Sequence, residues 1–245
     1  MKSTGGNMNF RVAALTSVVA LATAPALAQD MNFNRIASFM VAENAPDAEE
    51  SSAEIISATA DGMTLVYTDG PAEVVGFIDI TDPTNPVAKG AIALEGEPTS
   101  VSVFGSTAYL GENTSEDFIA VSGVLHAIDA ETQTVLSSCD LGGQPDSVAV
   151  SPDGSFVAVA IENERDEDLG EGRVGQMPAG FVAIVPTTEG GLNCDGLIAA
   201  DITGLADIAP EDPEPEFVAI NEENEIVVTL QENNHMIVLA ADGSV

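Results

Sequence analysis

The sequence predicts an all-β protein, a β-propeller of four-stranded antiparallel blades, and three observations carry that expectation. One hairpin pattern recurs, at residues 144–164 (QPDSVAVSPDGSFVAVAIENE), 98–113 and 215–233. Each copy alternates apolar with small or polar residues, turns sharply, and reaches a Glu followed by an Asn. The copies start 47 residues apart, from Pro98 to Pro145, and then 70 residues apart, from Pro145 to Pro215. A supersecondary unit repeated at such intervals is the mark of radial blades. Finally, 45% apolar residues with only 4% aromatic, and a mean hydropathy of +0.19, describe a chain that buries a core of Val, Ile, Leu and Ala despite its charge.

The first segment, residues 1–28, reads as a secretory signal peptide. Lys2 and Arg11 precede an apolar stretch, and Ala26-Leu27-Ala28 before Gln29 is a small-residue cleavage site. Pro25 interrupts a run already shorter than the ~20 residues of a spanning helix. Cleavage after Ala28 would place the mature protein in the periplasm or outside the cell, with no membrane span. Residues 29–52 form a mature N-terminus whose apolar run, 36–41, is expected to be a lone strand paired with something distant in sequence.

Residues 53–245 hold the blades. The first has strands expected at 54–58, 63–67, 74–80 and 87–94, separated by Ala60-Asp61-Gly62 and by the turn-rich Thr81-Asp82-Pro83-Thr84-Asn85-Pro86. The second has strands at 101–104, 107–111, within 118–129, and at 134–139. The third has strands at 147–150, 156–161, 180–185 and 197–202, with an acidic insertion at 162–175. The fourth has strands at 217–220, 225–230 and 236–240, and the chain stops at Val245 as another strand would begin. A propeller closes with about 4 to 8 blades. Three and a half are expected here, as part of a larger ring whose C-terminal blades are missing and would complete it. A two-sheet sandwich is the alternative all-β arrangement.

PDSVAVSPDGSFVAVA at 145–160 resembles the YVTN and lactonase-like propeller repeat. The succession SAEIISA, FIDITDPTNPV, QPDSVAVSPDG with IENERDED, and EPEFVAINEENEIVVTLQENN is similar to the choice-of-anchor I family of exported bacterial propellers, from about Ala53 to Val245. The resemblance implies a full propeller, in some members tethered to the cell surface by added C-terminal signals. It also implies an alkaline phosphatase or phytase-like esterase label that several members carry.

Candidate chemistry sits where second strands end. A second strand runs antiparallel to the first, so its end returns to the face where the first began. Glu112 and Asn113, Glu162 and Asn163, and Glu232 and Asn233 are therefore expected around one mouth, near Glu97, Asp146 and Glu216. Glu164, Asp166 and Asp168 extend the third copy. Hard oxygen donors from successive blades suit Ca²⁺, which takes ~6 to 8 oxygens. The expected metal set is Glu112, Asn113, Glu162, Asn163, Glu164, Glu232 and Asn233. Polar strand ends and turn-forming Asn are the plainer explanation of the same residues.

Composition narrows the partners. The formal charge is −34, and loss of Lys2 and Arg11 with residues 1–28 leaves four basic residues against 40 acidic ones, or −36. Such a chain repels nucleic acid and anionic membrane and attracts cations. His126 and His235 stand in no metal spacing and read as strand residues. No GxSxG elbow, phosphate-binding Gly loop or CxxC pair is present, so no catalytic residue, nucleotide or organic cofactor is indicated. Export permits a disulfide between Cys139 and Cys194. Their expected positions at opposite ends of strands about 20 Å long argue against it, since a bond needs Cα atoms within about 7 Å. The expected function is an exported binding or scaffold propeller, calcium-stabilised, whose top face meets a ligand or protein. The alternative is a Ca²⁺-dependent phosphoric ester hydrolase in which bound cations recruit the phosphate.

Overall fold

Each repeat folds as an antiparallel meander because short turns join strands too brief to bury themselves alone. The computed structural model describes residues 34–166, 168–169 and 175–245, so the expected signal peptide lies outside the described residues. Blade one is β1 (Ala53–Ala58), β2 (Thr64–Asp69), β3 (Val74–Asp79) and β4 (Val87–Ala93), hydrogen-bonded in that order. Blade two is β5 (Glu97–Phe104), β6 (Thr107–Asn113), β7 (Gly123–Asp129) and β8 (Thr134–Asp140), again in sequence order. Blade three comprises β9 (Pro145–Val150), β10 (Phe156–Ile161), β11 (Phe181–Thr188), the short β12 (Gly191–Leu192) and the outer β13 (Ile198–Ala200). Here β9, β10 and β11 follow in order, and both β12 and β13 pair with β11. Blade four contains β14 (Pro215–Ile220), β15 (Ile226–Leu230) and β16 (His235–Leu239).

Strand alternation assigns each blade's two faces to two different cores. In β10 all six residues are buried. Val157, Val159 and Ile161 join Tyr109, Leu125 and Cys139 of blade two. Phe156 and Ala158 point the other way and join Val218, Ile226, Val228 and Ile237 of blade four. A third core of Val66, Val75, Phe77, Val101, Leu110 and Ile128 joins blades one and two. At about 1.5–3 kcal/mol for each fully buried Val, Ile, Leu or Phe, this packing is the main cohesive force between blades. The first strands β1, β5, β9 and β14 flank a central cavity of about 190 Å³, lined by Ile55, Val101, Asp146, Val148 and Phe217 among others.

The SPDG turn between β9 and β10 is over-determined. Gly154 has φ +70°, and a Cβ there would lie 2.3 Å from the Phe104 ring. Ser151 Oγ accepts from the Phe156 N–H at 3.1 Å, and Gly154 N–H donates back to the Ser151 carbonyl at 2.9 Å. Glycine is required both for its backbone conformation and for the close approach.

Two expectations fail. Residues 36–41 form no strand. The segment ends instead in a 3-10 turn at Val41–Glu43, and Ile36 and Met40 remain exposed. Asn44 explains this, because it staples the turn to blade one. Its Nδ2 donates to the Phe77 carbonyl at 2.9 Å and to Tyr67 Oη at 3.1 Å, while its Oδ1 accepts from Gly90 N–H at 3.0 Å.

The second failure is the disulfide, which does form: Cys139 and Cys194 are bonded, with Cα atoms 5.3 Å apart. The expected separation rests on placing Cys139 at the end of an outer strand and Cys194 before the next, at opposite ends of their blades. The β11–β12 hairpin instead folds back over blade two, where Leu192 N–H donates to Ser137 Oγ at 2.8 Å. The 3-10 turn Cys194–Gly196 therefore begins beside β8.

The bond spans a sequence separation of 55 residues. The chain-entropy model assigns a loop of that size about 4 kcal/mol of stabilisation. Replacing both cysteines with serine is expected to lower the unfolding free energy by about that amount. Guanidinium titration of the double variant against the oxidised protein measures it; a change under about 1 kcal/mol would show that the bond adds little to the packed β8–β12 contact.

Candidate functional site

The polar residues at the ends of second strands share one task. In blade three, Asn163 Oδ1 accepts from Gln144 N–H at 2.9 Å, just before β9, and its Nδ2 donates to the Ala179 carbonyl at 3.0 Å. In blade four, Asn233 Oδ1 accepts from Glu214 N–H at 2.9 Å, just before β14. Its Nδ2 meets the carbonyls of Ile208 and Asp212 at 3.0 Å and of Ala209 at 3.3 Å. Blade two uses Glu112, whose Oε1 accepts from Glu95 and Gly96 N–H groups at 2.7 and 2.6 Å. Blade one uses the fully buried Asp69, whose Oδ1 accepts from Ser52 N–H at 2.8 Å. Each of these side chains clamps the segment that leads into its own blade's first strand.

Glu112 also carries a cross-strand chain. Its Oε2 lies 2.6 Å from His126 Nε2 on β7, and His126 Nδ1 lies 2.8 Å from Ser138 Oγ on β8. His126 is thus a strand residue tying three strands together, and His235 opens β16 as an exposed residue.

The structure separates the expected metal-binding residues into two places. Asn113 lines a polar cavity of about 480 Å³ between blades one and two, with Glu73, Glu95 and Glu97. Its Oδ1 caps an Asx turn by accepting from Ser115 N–H at 3.0 Å. Glu162, Asn163, Glu164, Glu232 and Asn233 gather at the mouth between blades three and four, where Asp146, Glu214 and Glu216 join them. Burial pushes the Glu162 carboxyl up to about 8, with Asp146, Glu164, Glu216 and Glu214 adding repulsion. Burial likewise raises Asp146 to about 6, helped by Glu216 and Glu164. Glu216 is raised by burial and by Glu232.

Beneath this mouth lies a group the sequence did not reveal. Arg165, only 5% exposed, donates through Nε to Glu214 Oε1 and lies 3.4 Å from Asp212 Oδ2. Burial raises Glu214 to about 7 even against the pull of Arg165. One guanidinium among so many carboxylates lowers their mutual repulsion without cancelling it.

Calcium fits this set only in part. The side-chain oxygens of Glu112, Asn163 and Asn233 are committed to backbone N–H groups, and Glu112 also to His126. Among the described residues no three His, Cys, Asp or Glu side chains converge closely enough to hold a metal ion. What remains open to a cation is the carboxylate group of Asp146, Glu162, Glu164, Glu216 and Glu232.

The sequence profile of the choice-of-anchor I domain matches residues 54–242. The chain belongs to the choice-of-anchor I family. Solved structures agree on the fold. A putative 6-phosphogluconolactonase from Bacteroides uniformis aligns over 80% of this chain and 53% of its own, with a TM-score of 0.54 and 16% identity. A second, from Bacteroides fragilis, aligns over 79% and 51%, with a TM-score of 0.51 and 15% identity. A chain of the mitotic checkpoint complex aligns over 76% and 50%, with a TM-score of 0.54 and 15% identity. This choice-of-anchor I chain thus spans about half the length of those propeller-like structures, and at such identities the likeness is one of fold. No curated protein matches it. No helix among its described residues is long and apolar enough to cross a membrane.

The clamp predicts unequal costs for residues of similar type in this choice-of-anchor I domain. Asn233→Ala strands a buried N–H and several carbonyls, and should destabilise by about 3 kcal/mol, whereas Asn113→Ala loses a single turn bond and should cost about 1 kcal/mol or less. Urea unfolding of both variants decides, and equal losses would refute the clamp.

The mouth predicts a pH dependence. Glu162, Glu214, Asp146 and Glu216 all have folded-state values above their ordinary ones. These four groups therefore hold more protons in the folded chain than in the unfolded one from about pH 4 to about pH 8, and the stability they contribute falls as pH rises through that window. Melting temperature should be highest near pH 5, just above the range where ordinary carboxylates protonate, and should decline toward pH 9. Glu162→Gln should flatten the decline, and an unchanged slope in that variant would remove Glu162 from the linkage.

Proposed function

We propose that this chain is an exported β-propeller module that binds a cationic ligand or partner at the acidic mouth between blades three and four. One observation carries the reading: carboxylates from three separate segments, at Asp146, Glu162 with Glu164, and Glu214 with Glu216, lie close enough to repel one another, and of these Glu214 is paired with the buried Arg165. Among the described residues Arg165 is the basic side chain beside these acids, so their mutual repulsion is not cancelled. An anionic ligand would meet a net repulsive field there, and a cation relieves it.

Export is supported by the leader at residues 1–28 and by the Cys139–Cys194 bond, which belongs in an oxidising compartment. Family membership agrees with a binding or scaffold role. Calcium is one candidate occupant, drawn by the summed charge of Glu162, Glu164, Glu216 and Asp146 rather than chelated by a preformed set of ligands.

Calorimetric titration of the mature protein with Ca²⁺ and, separately, with spermine tests the reading. At least one should bind in 0.15 M salt, and Glu162→Gln or Glu216→Gln should weaken it several-fold. Uptake of neither, or identical uptake by both variants, would overturn the assignment of the mouth.

A further inference from the structure

We infer that the loop beside the mouth forms a small pocket, sharing Glu232 with the mouth, for a primary alkylammonium group, an inference that rests on the cation-binding reading and names a ligand class for it. The pocket has a volume of about 470 Å³, and its lining includes Arg165, Ile208, Pro210, Asp212 and Glu232. That volume lies within the range of small-ligand sites.

Asp212 is the decisive residue. It is 3% exposed, and its Oδ2 accepts from Gln176 N–H at 2.8 Å and lies 3.4 Å from Arg165 Nε. Its other oxygen, Oδ1, is buried and has no hydrogen-bond partner. Buried carboxylate oxygens are almost always paired, so an unpaired one calls for a missing donor. Arg165 is already engaged with Glu214 and Asp212, and the pocket also holds the exposed carboxylate of Glu232.

The loop that carries Asp212 is held in place. Ala209 has φ +44°, a conformation that costs a non-glycine residue energy, and Asn233 grips the carbonyls on both sides of it. The segment is thus preorganised rather than slack.

The chemistry of the lining selects the ligand. Among the described residues of the lining, three carboxylates outnumber the Arg165 guanidinium, so an anion is disfavoured. Arg165 close to Asp212 opposes a bare divalent ion. An alkylammonium supplies N–H donors for Asp212 and Glu232, while Ile208, 50% exposed, and Pro210 give its aliphatic body a surface. The three N–H donors of a primary ammonium matter here, and charge alone does not.

The probe pair is n-butylammonium and tetramethylammonium, which carry the same charge while only the first can donate a hydrogen bond. Titration followed by two-dimensional NMR in 0.15 M salt should show butylammonium binding at least tenfold more tightly, with shifts confined to residues near 208–212 and 232. Asp212→Asn should lose at least tenfold in affinity. Because that variant can fail to fold, Glu232→Gln is the second test, with an expected loss of several-fold, and Glu222→Gln on the far loop should change nothing. Equal binding of the two cations, or an equal loss in Glu222→Gln, would reduce the effect to the general attraction of an acidic surface and overturn the inference. Calcium or spermine uptake at the mouth without butylammonium binding would sink this pocket while leaving the cation-binding reading intact.

Discussion

The structure depends on one recurring hydrogen bond, in which a polar side chain at the end of a second strand accepts the backbone N–H of the segment leading into the first. Asp69, Glu112, Asn163 and Asn233 make it in successive blades. Blade faces are joined by apolar packing, which is strong but carries little directional information. The clamp supplies the direction. It fixes where each inter-blade loop arrives at the mouth, and so fixes which side chains face solvent there. Its buried members cannot lose their partners cheaply, since an unsatisfied N–H costs more than the bond contributes. That demand alone is enough to keep an Asn or an acid at these positions.

Two of the chain's basic residues, Lys89 and Arg165, serve joints between blades. Lys89 Nζ donates to Thr64 Oγ1 at 3.1 Å in its own blade and to the Ala130 carbonyl at 3.2 Å in the next. Arg165 joins the end of blade three to the segment before β14 through Glu214 and Asp212. With these two so engaged, the carboxylates at the mouth have Arg165 as their basic neighbour among the described residues. The acidity of the mouth is a consequence of where the structure needs its cations as much as of composition.

The blades were legible in sequence because alternation and turn chemistry are local. β10 was expected at 156–161 and forms there, and the Gly154 turn follows from Ser151, Pro152 and Asp153. Family and fold followed from the same strings. The site was legible only in position: repeated Glu and Asn residues lie at strand ends near the first strands, as antiparallel pairing requires. Their roles were hidden, because the partner of Asn233 is a backbone N–H 19 residues away and the partners of Arg165 lie 47 and 49 residues away. The disulfide is hidden for the same kind of reason. Strand length follows from local pattern, but the path of the β11–β12 hairpin over blade two depends on tertiary packing.

On the proposed reading, cation binding at the acidic mouth is coupled to proton release. Glu162 and Glu214 hold their protons near neutral pH because burial and neighbouring acids disfavour their ionised forms. A cation placed among them favours ionisation, so it must compete with those protons and displace some of them. The same linkage that makes the empty fold less stable as pH rises makes its mouth more receptive to a cation. Stability and binding are therefore set against each other at one group of residues, and the Asn163 and Asn233 clamps, which do not titrate, hold the blades in register while the charge between them changes.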